Sequence, residues 1–214
     1  MTLKILNLYA GIGGNRKLWT GDIEVTAVEN VLEIAKIYQD FFPQDKVIIA
    51  DAHQYLLDHY KEFDFIWSSP PCPSHSITNN YLHHQGVIRY PDMRLYAEII
   101  FLMKWCKTKF CVENVKSYYK PLILPKTIDR HYFWANFEIG DFFVQKRKFN
   151  LTNARASTRR KNLDCKKDLE QFHDIHIPHN TYKEILLLRK CVYPPLALHI
   201  FKCAFKEKQE VLKL

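Results

Sequence analysis

The stretch LYAGIGGNRKLW (residues 8–19) decides the fold. It completes an apolar run, LKILNLYA (residues 3–10), and then places Gly11, Gly13 and Gly14 in quick succession. Glycines let the backbone turn sharply and approach a ligand closely, so the pattern predicts a strand that leads through a binding turn into a helix. Its GxGG order differs from the dinucleotide-binding GxGxxG, and by itself it also fits an ordinary strand-to-helix turn.

Short β-rich runs alternate with helical patterns in the sequence around this turn. The predicted strands are 3–10, 24–30, 46–51, 63–69, 109–115, 131–139 and 141–144, and the predicted helices are 32–42, 52–60, 93–106 and 194–212. In the third of these helices, Leu95, Ile99, Leu102 and Met103 form an apolar stripe. Alternation of strands and helices predicts an α/β fold with a parallel sheet covered by helices on both faces.

Composition places the chain among soluble globular proteins. Its 214 residues are 47% hydrophobic and 25% charged, which excludes disordered and fibrous classes and predicts one domain, with at most a small appendage. No apolar stretch reaches the roughly 18 residues of a membrane span. The N-terminus lacks the cleavage pattern of a signal peptide, so we expect a cytoplasmic protein whose six cysteines are free thiols.

The net charge of +8 is concentrated in the last third of the chain. Residues 1–144 carry 15 basic and 16 acidic side chains, whereas residues 145–214 carry 16 basic and 7 acidic ones. The densest part, residues 145–167, has nine basic side chains and one acid, Asp164. Such a segment is either a solvated loop or a surface for a polyanion such as nucleic acid.

Acidic side chains lie at the ends of the second and third predicted strands. Glu29 could accept hydrogen bonds from ribose hydroxyls, and Asp51 could face an adenine ring. For either acid alone, a helix N-cap is the more common role. Because ligands of open α/β sheets bind along the carboxyl edge of the strands, the two acids and the glycine turn together indicate a nucleoside-bearing cofactor.

The fourth and fifth predicted strands end in residues suited to covalent catalysis. Pro70 and Pro71 stop the fourth strand and leave Cys72 at the same edge, where a cysteine is a better candidate for a nucleophile than for a core residue. Glu113 lies between apolar neighbours in VENV (residues 112–115), and burial raises a carboxyl pKa enough for proton sharing with a heterocycle.

The order of these motifs resembles the DNA cytosine-5 methyltransferase family, in particular small, phage-type members with a minimal target-recognition region. Near the C-terminus, LRKCVYPPLALHI (residues 188–200) is similar to that family's last motif through Val192, Pro194, Pro195 and Ile200. The resemblance implies a Rossmann-like class I S-adenosylmethionine-dependent methyltransferase, with a mixed seven-stranded sheet and helices on both faces.

The resemblance also implies roles for individual residues. Cys72 would attack C6 of a flipped cytosine in DNA, Glu113 would hydrogen-bond its N3/N4 edge, and Arg130 would support the base. The methyl group of S-adenosylmethionine would then pass to C5. The residues implied at the cofactor are Leu8, Tyr9, Gly11, Gly13, Gly14, Glu29, Asp51, Pro70 and Val192.

Three departures from the family pattern keep alternatives open. Pro73 follows the cysteine where the family has Gln, and Lys190, Cys191 and Tyr193 alter the last motif. The arginine motif is reduced to residues 129–131, so His131 rather than Arg130 could occupy the arginine position. A cytosine-5 methyltransferase acting on RNA and a catalytically inactive nucleic-acid-binding relative both remain alternatives.

We expect the polymer to be duplex DNA, held by the basic segment and by the loop at 74–91, which in this family closes over the base. The residues predicted to bind nucleic acid are Ser74, His75, Arg89, Lys146, Arg147, Lys148, Arg155, Arg159, Arg160 and Lys161. The predicted division is a catalytic domain (1–144), a basic target-recognition segment (145–187) and a returning C-terminal motif and helix (188–214). No protein partner is required, and a cognate restriction nuclease is left open.

Three histidines spaced by three residues, His173, His176 and His179, follow Cys165 and raise the question of a metal. The segment lacks the CxxC pairs of structural zinc sites, and Pro178 interrupts any helix that would present all three histidines. We therefore predict no metal.

Overall fold

A computed structural model of the chain describes residues 2–144, 159–178 and 182–206, with the backbone alone at 159–164 and 182–183. In this part of the chain, seven strands form one sheet in the order β3-β2-β1-β4-β5-β7-β6. The strands are β1 (Leu3–Leu8), β2 (Ile23–Val28), β3 (Lys46–Ile48), β4 (Phe65–Ser68), β5 (Lys109–Val115), β6 (Lys126–Ile128) and β7 (His131–Ala135). Strands β1 to β5 are parallel, and β7 is antiparallel to both neighbours.

Helices cover both faces of the sheet, as predicted. They are α1 (Leu32–Phe41), α2 (Ala52–His59), α3 (Asn79–His84), α4 (Arg94–Trp105), α5 (Arg159–His173), α6 (Tyr182–Lys190) and α7 (Pro194–Ala204). On β1, Ile5 packs with α7, whereas Leu6 and Leu8 pack with α2 and α4. Strands buried on both faces read as continuous apolar runs, which explains why the central strands were recognisable from sequence.

The predicted helix after the glycine turn is wrong, because residues 14–17 form successive tight turns. The Arg16 side chain enters the core, where Nε and Nη2 donate to Asp45 at 2.8 and 3.0 Å and Nη1 donates to the Trp19 carbonyl at 2.7 Å. With β2 beginning at Ile23, little chain remains for a regular helix. Breaking such a buried ion pair costs about 3–5 kcal/mol, so this contact fixes the turn strongly.

The predicted strand at 141–144 is also wrong, because the chain has left the sheet there. Phe142 packs on the ring of His199, with the centroids 5.1 Å apart, and Phe143 is 94% exposed. The strand that the sequence did not predict is β6, which precedes β7 in the chain and pairs with it. Only three residues long, β6 has no apolar alternation that would reveal it, and β7 is shorter than the predicted 131–139.

Other departures lie at helices. Met103 is 49% exposed, so it does not belong to the buried stripe of Leu95, Ile99 and Leu102 on α4. The sequence did not predict α3, α5 or α6, and the last helix ends at Ala204, while the rest of its predicted span lies largely outside the described residues. All six cysteines are free thiols, as expected. In the described ranges, no helix is long and apolar enough to cross a membrane.

Helices α5 and α6 form a pair that contacts the glycine turn. Cys165 and Leu169 of α5 and Leu188 of α6 are buried in a cluster with Ile12, against partly buried residues of α1. The described part of the basic segment is therefore packed on the sheet domain, beside the turn after β1.

Candidate active site

A cleft of about 510 Å³ opens at the carboxyl edge, where the strand order reverses between β1 and β4. Ligands of open α/β sheets bind at such a switch point. Of the predicted site residues whose side chains the structure describes, most line the cleft: Tyr9, Gly11, Gly14, Glu29, Asp51, Pro70, Cys72, His75, Glu113, Arg130 and Val192. Leu8, Gly13, Ser74 and Arg89 do not line it, and the Leu8 side chain is buried in the core.

The cofactor half of the cleft is organised by Glu29. Its carboxylate accepts from the backbone N–H of Gly11 and from that of Val31, each at 3.0 Å, which ties the glycine turn to the end of β2. Gly11 has a φ of +54°, and a Cβ built there would meet no atom within 4 Å, so the turn leaves free space beside it. Asp51 caps α2 by accepting from the Gln54 N–H at 2.9 Å and remains exposed. These residues fit a nucleoside-bearing group.

The C-terminal motif forms one wall of the cleft. A Cβ on Gly14 would lie 2.7 Å from Cβ of Cys191, so only glycine permits this close approach. Nη2 of Arg130 donates to the carbonyls of Arg189, at 2.8 Å, and Cys191, at 3.3 Å. The segment 189–191 therefore contacts both the glycine turn and the residue that precedes β7.

The loop after β4 is held from three directions. The Cys72 carbonyl accepts from the N–H of His75, at 3.0 Å, and Asn114 Nδ2 donates to the Pro70 carbonyl at 3.0 Å. Pro73, where the family has Gln, offers its carbonyl to Nδ2 of Asn79 at 2.9 Å and to Arg89 at 3.3 Å. The backbone at Pro73 is thus held by contacts to the following segment.

Cys72 and Glu113 face the same cleft from adjacent strand ends. Burial raises the pKa of Glu113 to about 7, although a hydrogen bond from Ser69 and the charge of Arg130 act in the opposite direction. Burial and the nearby Glu113 carboxylate raise the pKa of the Cys72 thiol, against the lowering effect of Lys190 and Arg130. A protonated glutamate beside a thiol is suited to hydrogen-bonding a heterocycle while the sulfur attacks it.

Both candidates for the arginine position line the cleft, but they do different things. His131 Nε2 lies 3.6 Å from Oε1 of Glu113, and both side chains are buried. Arg130 Nη2 binds the C-terminal segment through the two carbonyls described above. His131 is therefore the direct neighbour of Glu113, while Arg130 acts on Glu113 and Cys72 through its charge.

The segment at 74–91, predicted as a loop, contains the short helix α3. His75 is 1% exposed and places Nδ1 2.5 Å from Tyr119 Oη, so it lies beneath the surface, and burial lowers its pKa. Tyr81 and Tyr90 are exposed, as is Arg89. Of the other predicted nucleic-acid residues, the side chains of Lys146, Arg147, Lys148, Arg155, Arg159, Arg160 and Lys161 lie outside the described part.

The sequence assigned no individual role to Ser69, Asn114 or Asn79, although Asn114 belongs to VENV and Asn79 to the loop at 74–91; the structure shows that all three support the site. Ser69 hydrogen-bonds Glu113, and the two asparagines hold the carbonyls of Pro70 and Pro73. Only their positions in the sequence could have indicated Ser69 and Asn114, since Ser69 precedes the two prolines and Asn114 follows Glu113. Within the described ranges, no group of three or more potential ligand side chains could hold a metal ion, and His179 lies outside them.

A mixed sheet of this order, with β7 antiparallel to its neighbours and a glycine turn after β1 joined to an acid after β2, defines a class I methyltransferase whose cofactor is S-adenosylmethionine. The family profile for C-5 cytosine-specific DNA methylase matches residues 3–122. The chain belongs to this family.

The proteins to which the chain is similar include named methyltransferases. A tRNA (cytosine(38)-C(5))-methyltransferase from Spodoptera frugiperda is 26% identical over 175 residues, covering 76% of this chain and 51% of the relative. The chain thus spans about half the length of that curated relative. Among solved structures, a DNMT2 mutant from Spodoptera frugiperda is 27% identical (TM-score 0.40, covering 54% of this chain and 36% of that one). Entamoeba histolytica EhMeth is 15% identical (TM-score 0.43, 75% and 62%). Since both scores lie below 0.5, the family assignment rests on the profile match.

Proposed function

We propose that this protein transfers a methyl group from S-adenosylmethionine to C5 of cytosine in DNA, through a covalent bond between Cys72 and C6 of a flipped base. The observation that carries the proposal is the convergence of Cys72, Glu113 and the glycine turn on one cleft. A base inside a duplex must leave the stack before its C6 can be reached, and a cleft of about 510 Å³ offers room for a small ligand.

The side chains divide the chemistry between them. S-adenosylmethionine supplies an electrophilic methyl group. The Cys72 thiolate bonds to C6, while protonated Glu113 donates to N3 and stabilises the electron pair that moves onto the ring. C5 would then take the methyl group as the methyl–sulfur bond of the cofactor breaks, with S-adenosylhomocysteine as the leaving group. A base or water removes the C5 proton, and the C6–sulfur bond breaks to release the Cys72 thiolate.

The family description, C-5 cytosine-specific DNA methylase, favours DNA as the polymer. Cytosine in tRNA is a second candidate, because the relative from Spodoptera frugiperda is named for that reaction and the same cleft would serve either polymer. Restriction-linked and phage contexts remain predictions from the resemblance.

One experiment separates these candidates. The protein is incubated with S-adenosylmethionine and either random-sequence duplex DNA or unmodified tRNA, and bisulfite sequencing then locates 5-methylcytosine. Methylated cytosines in DNA, within a recurring context, are the expected result. Methylation of tRNA alone would replace the first candidate by the second, and methylation of neither polymer by a protein that binds the cofactor would identify an inactive relative.

The basic segment gives a prediction about affinity. Replacing Arg159, Arg160 and Lys161 with Gln should weaken DNA binding and reduce the slope of log K against log salt by up to about 0.9 for each phosphate that the variant no longer neutralises. Replacing three exposed lysines at the opposite edge of the sheet, Lys104, Lys107 and Lys109, is the matched control and should leave the slope unchanged. Fluorescence anisotropy at several salt concentrations measures both, and equal slopes in the two variants would place the DNA elsewhere.

A further inference from the structure

A second buried carboxylate lies beneath the cofactor half of the cleft, outside the catalytic pair. Glu98 on α4 is fully buried. It accepts a short hydrogen bond from Tyr9 Oη and another from Ser68 Oγ at 2.9 Å, and His53 Nδ1 lies 3.0 Å from its Oε1. Burying a carboxylate costs free energy unless its oxygens are hydrogen-bonded. The three contacts of Glu98 compensate for that cost.

The three partners of Glu98 belong to three different segments that border the cleft. Tyr9 follows β1 and opens the glycine turn, and Ser68 ends β4 just before the loop that carries Cys72. His53 lies in the first turn of α2, two residues after Asp51. One side chain therefore connects α4 with all three segments and holds them in a common geometry.

Tyr9 is the partner that reaches the cofactor space. It lines the cleft and has a φ of +54°, a left-handed conformation that is uncommon for residues other than glycine. Burial and the charge of Glu98 raise the pKa of Tyr9 well above its usual range, so its hydroxyl stays protonated and donates. The hydrogen bond to Glu98 opposes relaxation of this strained backbone.

We propose that Glu98 is a positioning residue for the S-adenosylmethionine site, which it acts on through the Tyr9 hydroxyl. Glu98 itself does not line the cleft, so it can act on the cofactor only through its partners. The proposal rests on the cofactor assignment and is independent of which polymer is methylated.

The test compares two tyrosines whose hydroxyls each donate to a buried carboxylate. Tyr38 donates to the buried Asp45 carboxylate at 2.8 Å, but it lies on α1 and does not line the cleft. Both Tyr9→Phe and Tyr38→Phe remove one hydroxyl and should lower Tm by similar amounts. Isothermal titration with S-adenosylmethionine should show a Kd raised about tenfold for Tyr9→Phe and changed less than about twofold for Tyr38→Phe.

A second variant tests Glu98 itself. Glu98→Met keeps the length of the side chain but removes both acceptor oxygens, so the Tyr9 hydroxyl loses its partner and Kd should rise at least about tenfold. In the double variant with Tyr9→Phe, Kd should rise less than the two single effects combined, because both changes break the same bond. Wild-type affinity in Glu98→Met, or equal effects of the two tyrosine variants, would overturn the proposal. Since no nucleic acid is present, failure of the methylation assay would not affect this result.

Discussion

Cys72→Ser should abolish methyl transfer, lowering kcat by about 10⁴-fold or more, because a serine hydroxyl is far less acidic and less nucleophilic than a thiol. Affinity for S-adenosylmethionine should stay within about threefold, since the substitution keeps the size of the side chain and touches none of the contacts around Glu29. Tritium transfer from labelled cofactor to duplex DNA measures the first quantity, and titration calorimetry measures the second.

The matched control is Cys106→Ser. Cys106 is also a partly buried free cysteine, but it caps the C-terminal end of α4 and contacts Thr108 just before β5, at the opposite edge of the sheet. This variant should retain full activity. A duplex containing 5-fluorocytosine adds a direct readout, because fluorine at C5 cannot leave as a proton and the C6–sulfur bond persists. Wild type and Cys106→Ser should form a complex that survives denaturing electrophoresis. Transfer activity that persists in Cys72→Ser would contradict the covalent mechanism.

The cleft could be predicted from sequence because its main residues lie at or just after the carboxyl end of a strand. In a parallel sheet, the carboxyl ends of all strands meet at one edge, so the glycine turn, Glu29, Cys72 and Glu113 had to lie close together once the strands were recognised. No long-range contact had to be known in advance. The same geometry explains why the residues at the carboxyl ends of β1, β2, β4 and β5 share one edge, although some of the predicted strand lengths were wrong.

The arginine position shows where sequence reasoning stopped. Spacing alone left Arg130 and His131 as alternatives, because a shift of one residue exchanges the two faces of a strand. The register of β7 on β5 pairs His131 with Val115 and Phe133 with Glu113, which places His131 on the same face as Glu113. Pairing register is a tertiary property, so no local pattern could have decided it.

Contacts between residues far apart in sequence could likewise not be predicted. The turns after β1 depend on the pairing of Arg16 with Asp45, which are far apart in sequence and which no motif connects. In α5, Cys165 and Leu169 lie one helical turn apart, but the many charges around them conceal this short apolar pattern. The burial of these two residues becomes apparent only once α1 and the glycine turn are in place beside them.

Glu113→Gln should lower kcat by about 10²–10³-fold, because the amide can still donate to the base but cannot share a proton with it. The change should also alter the pH dependence. In the wild type the reaction needs protonated Glu113, with a pKa of about 7, and ionised Cys72, whose pKa lies above its usual range. Between about pH 7.5 and 8.5 the fraction of protonated Glu113 decreases while the fraction of ionised Cys72 increases, so the rate should be nearly independent of pH.

In Glu113→Gln only the thiolate titrates, so log kcat should rise by about one unit per pH unit over the same range. Single-turnover rates at four or five pH values measure the slope. A flat profile in the variant would show that Glu113 is not the group that loses its proton. Glu138→Gln, at an exposed site, is the control and should keep the wild-type profile.

The same substitution should stabilise the protein at alkaline pH. A folded-state pKa of about 7 lies above the ordinary value of 4.5, so the folded protein holds this proton more tightly than the unfolded chain does. The contribution of Glu113 to stability is therefore complete below about pH 4.5 and is lost as the pH rises through 7. Glu113→Gln removes the buried charge, so its free energy of unfolding should exceed that of the wild type by up to about 3 kcal/mol at pH 8. The difference should shrink towards pH 5. Urea denaturation at the two pH values checks this, and a variant that is less stable than the wild type at pH 8 would mean that Glu113 is not held in a dry, charge-excluding site.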